Sequence, residues 1–127
     1  MEIDDSEFVY AVVVGIASED FRRIIWHFRH LSPFVEAFVT DEEVTFIFGP
    51  AEIVLKTENG NCVIGGINGH HRVKIRLSLH IPDSLLEASE LSASVWMFKS
   101  PDSPDLLSFP VRQLGNVVFY FKNEHRL

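Results

Sequence analysis

One pattern constrains this chain more than any other: an order of elements that occurs twice. An apolar strand leads into a short amphipathic helix and three further strands follow, then the same order restarts at about 60-residue spacing. The first helix is its clearest member. Over residues 18–31 (SEDFRRIIWHFRHL), Phe21, Ile24, Ile25, Phe28 and Leu31 recur at the three-and-four spacing of one apolar stripe. Ser18 stands at the N-cap, with Glu19 and Asp20 in the first turn, where the helix dipole favours anions. Arg22, Arg23, Trp26, Arg29 and His30 take the opposite side, so three of the 11 Lys and Arg residues face outward from one helix. Such a face is either simply solvated or turned toward something anionic.

In chain order, residues 8–15 (FVYAVVVG) are β-branched and aromatic without a helical period, which predicts a largely buried strand. The helix follows, and Ser32-Pro33 stops it. Strands are expected over 34–40, 44–49 and 52–57, divided by Asp41-Glu42-Glu43 and by Pro50. Residues 58–61 (ENGN) form a turn, and a glycine-rich connector over 61–71 holds a short strand at 62–64. The order then restarts. Residues 73–79 (VKIRLSL) alternate apolar and polar, as in a half-buried strand. Pro82 opens a helix over 82–91, with Leu85, Leu86 and Leu91 toward the core. Strands follow at 94–98, 106–111 and 116–122, with a two-proline turn at 100–105, and Pro110 argues that its strand lies at an edge. The repeats span roughly 8–57 and 72–122. The fold class expected is α+β, a single domain with both helices on one face of a large antiparallel sheet, since neither half can bury its strands' apolar face alone.

Composition excludes several classes of function. In 127 residues, 11 Lys and Arg stand against 18 Asp and Glu, a net charge of −7, so only a segregated basic face could meet nucleic acid. Cys62 is the only cysteine, which rules out an intramolecular disulfide. The acidic start MEIDDSEF is unlike a secretory signal, and no apolar run approaches the roughly 20 residues that span a bilayer. An intracellular, soluble protein is expected.

The stretches IDDSEFVYAVV leading into EDFRRI, DEEVTFIFG, and LSASV through SPDLLSFPVRQLGNVVFYF give the chain a family likeness. Over almost its whole length it resembles the C-terminal domain of the sliding DNA clamps typified by proliferating cell nuclear antigen. That resemblance implies two strand-helix-sheet repeats, helices lining a central hole, and sheets forming an outer wall. It puts Arg22, Arg23, Arg29 and His30 on a surface facing double-stranded DNA, where phosphate contact is independent of sequence. It also implies edge-to-edge assembly with itself or another clamp-fold subunit through Val44, Phe46, Phe48, Leu107 and Phe109, and a partner pocket using Pro104, Tyr120 and Phe121. A nuclear scaffold for replication or repair proteins follows from the same likeness. Two features depart from the family. Glu87 stands where a lysine is typical, and a clamp subunit has two such domains where this chain has one.

An enzyme is not expected. His27 and His30 lie three apart and His70-His71 are adjacent, but no ligand spacing completes a zinc site, no cofactor is implied, and no nucleophile motif or phosphate-cradling loop is present. Two classes of function remain: a DNA tether and scaffold, or a clamp-fold module that binds proteins and not DNA. Arg22, Arg23 and Arg29 argue for the first, Glu87 and Glu90 for the second.

Overall fold

The computed structural model describes residues 12–67, 71–79, 82–100, 103–112 and 114–121. Among them lie nine strands and two α-helices: β1 (Val12–Ala17), α1 (Ser18–Phe28), β2 (Phe34–Val39), β3 (Glu43–Phe48), β4 (Ala51–Lys56), β5 (Cys62–Gly65), β6 (Val73–Ser78), α2 (Pro82–Glu90), β7 (Ser94–Ser100), β8 (Ser103–Val111) and β9 (Gly115–Phe121). The α+β class and the antiparallel pairing agree with the sequence reading. Residues 8–11 of the first expected strand lie outside the described residues.

The strands form two sheets, not the single large one expected. One has five strands in the order β5-β1-β7-β8-β9, the other four in the order β4-β3-β2-β6, and every pairing is antiparallel. The two repeats are interlocked. The opening strand of each half pairs with the strand that follows the helix of the other: β1 with β7, and β6 with β2. Periodicity within a strand reports which face is buried but not which strand lies alongside, so this exchange was invisible to pattern reading.

Alternation does set the burial. In β2 the odd positions Val35, Ala37 and Val39 are buried, while Phe34, Glu36 and Phe38 face out half-covered. The inner faces of both sheets and the apolar stripes of both helices meet in one core that holds Phe21, Ile24, Ile25, Phe46, Ile75, Leu85 and Phe109. The Phe21 ring meets Phe109 edge-on at 5.5 Å, and Phe109 meets Phe119 at 5.6 Å, which ties α1 to the five-stranded sheet.

Both helices stop earlier than their patterns. α1 ends at Phe28, and the N–H groups of Leu31 and Ser32 both donate to the Phe28 carbonyl, so Leu31 leaves the stripe and stands exposed. Leu91 lies beyond the end of α2 and is exposed as well, against the expectation that it faced the core. Ser18 is the first helical residue; Ala17 holds the N-cap, and the Ser18 side chain makes no capping bond. Its N–H donates instead to the Ala93 carbonyl.

Candidate functional site

Three surfaces bear on what this fold can do: the outward side of the helices, the rims of the sheets and the sheets' outer faces. On the helices, Arg22, Arg23, Arg29 and His30 all lie on the outward side of α1 or in the turn after it. Each arginine is held locally. Arg22 Nη1 donates to the Ser89 carbonyl at 2.9 Å, joining the first half of α1 to the last turn of α2. Arg23 pairs with Glu19 one turn back at 3.4 Å. The Arg29 guanidinium lies 3.4 Å over the Trp26 ring and donates to the Trp26 carbonyl. His30 is exposed.

The neighbouring helix carries the opposite sign. Asp83, Glu87 and Glu90 of α2 are all exposed. With Glu19 and Asp20, five carboxylates share the helix layer with three arginines, and the balance does not favour a polyanion.

The edge assignment needs correction. β3 runs between β4 and β2, and β8 between β7 and β9, so neither is a rim among the described residues. Val44, Phe46, Leu107 and Phe109 are fully buried and form part of the core. The resemblance places these residues on sheet edges, but their side chains belong to the inner faces of the two sheets. Phe48 belongs to β3, but its side chain lies outside the described residues. Pro110 sits in an interior strand because the ladder from β8 to β7 is described only as far as Ser108↔Trp96, and beyond it Pro110 pairs with Asn116 of β9 alone. The outermost strands are β5 and β9 in one sheet, and β4 and β6 in the other.

The partner-pocket residues fall on the β8–β9 ladder. Pro104 and Phe121 lie in these strands, with side chains outside the described residues. Tyr120 is 65% exposed on β9 and sits opposite Leu106. It is one end of a larger surface that sequence reasoning missed. Following the register across the outer face of the five-stranded sheet gives two rows: Val13, Phe98, Leu106 and Tyr120, and next to it Val63, Gly15, Trp96, Ser108 and Val118. Apart from Ser108 and the tyrosine hydroxyl, every side chain in them is apolar. The signal was in the sequence. SVWMF and NVVFYF are apolar without alternation, the pattern of strands with no polar face.

Cys62 is buried in β5, and its thiol donates to the Leu55 carbonyl at 3.4 Å. Burial, and less strongly the nearby Glu43 carboxylate, push this thiol above its usual range, against a backbone hydrogen bond from Val44. A thiol held protonated is a poor nucleophile. Among the described residues, no three His, Cys, Asp or Glu side chains are grouped to hold a metal ion, and no helix is long and apolar enough to cross a membrane.

No known family model matches the chain, and no curated protein matches it.

Proposed function

We propose that this chain is a non-enzymatic domain of the sliding-clamp kind, a scaffold for DNA replication or repair in the nucleus that joins its neighbours through sheet edges. The observation that carries this reading is the interlocked repeat. β1 pairs into the second half and β6 into the first, and both helices pack against each other over one shared core. A fold so arranged offers two equivalent rims, β4 and β9, each the last strand of its repeat. Among the described residues neither rim pairs with a further strand, and an open strand edge attracts another strand. β9 adds exposed Val118 and Tyr120, and β4 adds exposed Val54. The partners are a second copy or another clamp-fold subunit, with client proteins on the apolar outer face beside Tyr120.

The native mass tests this. Sedimentation at roughly tens of micromolar, where weak pairing registers, should give a species heavier than one 14.5 kDa chain. A clean monomer overturns edge assembly by the chain itself.

Contact between the helix layer and double-stranded DNA belongs to the same reading. The exposed Asp83, Glu87 and Glu90 favour a second one, a clamp-fold module that binds proteins and leaves DNA alone. A duplex titration at low salt separates the two. The tether reading requires binding that weakens when Arg22 and Arg23 become alanine, whereas absence of binding leaves the protein-binding module.

A further inference from the structure

The outer face of the four-stranded sheet differs from that of its companion. Along β6 and the residue before it, Arg72, Lys74 and Arg76 alternate on the outward side. β2 lies alongside, with Phe38 opposite Lys74, Glu36 opposite Arg76 and Phe34 opposite Ser78. The Arg72 guanidinium lies 4.2 Å over the Phe38 ring, and that of Arg76 lies 3.8 Å over Phe34. Two flat cationic stacks therefore flank one ammonium, with both arginines exposed.

A guanidinium lying on a ring keeps its N–H donors pointing sideways and leaves its outer plane open. Such a unit can bind a phosphate in its plane and stack a base on its free face. Arg72 and Arg76 are four strand residues apart, about 13 Å at ~3.3 Å per residue. That is the length of about four stacked nucleotides at ~3.4 Å each. In a chain of net charge −7, this is the segregated basic face that contact with nucleic acid would need.

Along β6 and the residue before it the exposed charges, Arg72, Lys74 and Arg76, are all positive. Glu36 pairs with Lys74 at 3.6 Å; Asp105 accepts from the Arg76 backbone N–H at 3.5 Å and pairs with Lys99 at 3.3 Å; Glu43 of β3 lies opposite Lys56, and Glu52 belongs to β4. We propose that this strip of β6 and β2 binds single-stranded nucleic acid without sequence preference, Arg72, Lys74 and Arg76 meeting phosphates and the two stacks receiving bases. An acidic peptide would satisfy the N–H donors but leave both open planes without a flat partner, so the stacks favour the nucleic acid. The inference goes beyond the proposed function, because it uses neither the helix layer nor the β4 and β9 rims.

The test is fluorescence anisotropy of the full chain with a labelled oligothymidylate of about 20 nucleotides, long enough for one such site. Binding is expected at low salt, with a log–log salt slope of about −2, as three phosphate contacts on a single strand predict. R72Q/K74Q/R76Q should abolish it, with circular dichroism confirming the fold. R72K/R76K keeps the charge but loses the flat stacks, and should weaken binding roughly tenfold with little change in slope. R22A/R23A should leave it unchanged, which separates this site from the helix layer and from the fate of the clamp reading. Absence of binding at low salt, indifference to the triple or the lysine variant, loss on R22A/R23A, equal binding of a duplex, or equal competition by polyglutamate would each overturn the proposal.

Discussion

The indole of Trp96 lies flat across Gly15 on the adjacent strand, so closely that a Cβ at position 15 would stand 2.5 Å from the ring. The two residues are register partners on the outer face of the five-stranded sheet, and Trp96 Nε1 donates to Ser94 Oγ at 3.2 Å, holding the ring in place. Glycine is required here by the space its absent side chain leaves. Gly15→Ala must push the indole off the sheet and should cost about 1–3 kcal/mol, the usual range for overpacking. Chemical denaturation measures the loss, and the tryptophan emission of the folded variant should move to longer wavelength as the ring becomes wetter.

Phe109 holds the centre of the core. It is fully buried and makes edge-on contacts with both Phe21 and Phe119. Phe109→Ala removes two aromatic contacts and leaves a cavity, for which about 3–5 kcal/mol is the usual cost. Phe109→Leu fills most of that volume and should cost less. A thermal melt of the pair checks the ranking; equal losses would mean that the ring contacts with Phe21 and Phe119, and not the filled volume, carry the contribution of Phe109.

Arg22 and Arg23 are adjacent, yet they should respond differently. Arg22 bridges the helices by its bond to the Ser89 carbonyl, in a half-buried position, so Arg22→Ala should cost about 1–2 kcal/mol. Arg23 makes only an exposed ion pair with Glu19, and Arg23→Ala should stay within ~0.5 kcal/mol of wild type. Urea midpoints of the two single variants decide this, and they must be known before either variant's DNA binding is read as a contact effect.

Cys62 makes stability depend on alkaline pH. Its folded-state pKa is raised, chiefly by burial, so the folded chain holds the thiol proton more tightly than the unfolded chain does. The contribution is fully present below the ordinary thiol value of 9.0 and is lost as pH rises through it toward the folded pKa. Melting temperatures between neutral pH and mild alkali should fall faster for wild type than for Cys62→Ala. Modification by a soluble thiol reagent should be slow until the chain unfolds.

Much of the local structure was legible in the sequence, and the assembly of the parts was not. The stripe of Phe21, Ile24, Ile25 and Phe28 placed α1 correctly, and VKIRLSL gave both the strand and its polar face. Leu31 and Leu91 misled because each continues an apolar stripe past the point where the backbone stops being helical. Pro110 misled because one strand can be interior along most of its length and paired on a single side at its end. The rims were assigned to β3 and β8 from the family resemblance, with Pro110 as a further argument for β8. Phe46 and Leu107 are apolar because they face the core, and a rim is decided by which strand lies alongside. The stacks of Arg72 on Phe38 and Arg76 on Phe34 join residues far apart in sequence and could be seen only with β6 docked beside β2.

The corrected rim carries the last prediction. β9 is outermost in its sheet, and its outward residues Val118 and Tyr120 are exposed beside a backbone edge with no strand on its far side among the described residues. A charge at such a position opposes the approach of a second strand, as lysines do on natural sheet edges. Val118→Lys with Tyr120→Lys should therefore reduce the native assembly toward a single chain in light scattering. Because both side chains already contact water, the thermal midpoint should move little, within the ~0.5 kcal/mol typical of surface substitutions. The buried pair Phe46 and Leu107 offers the contrast, since lysine there should unfold the chain before it could report on assembly. An assembly whose mass is unmoved by the β9 lysines does not use this rim, and β4 would be the next to test.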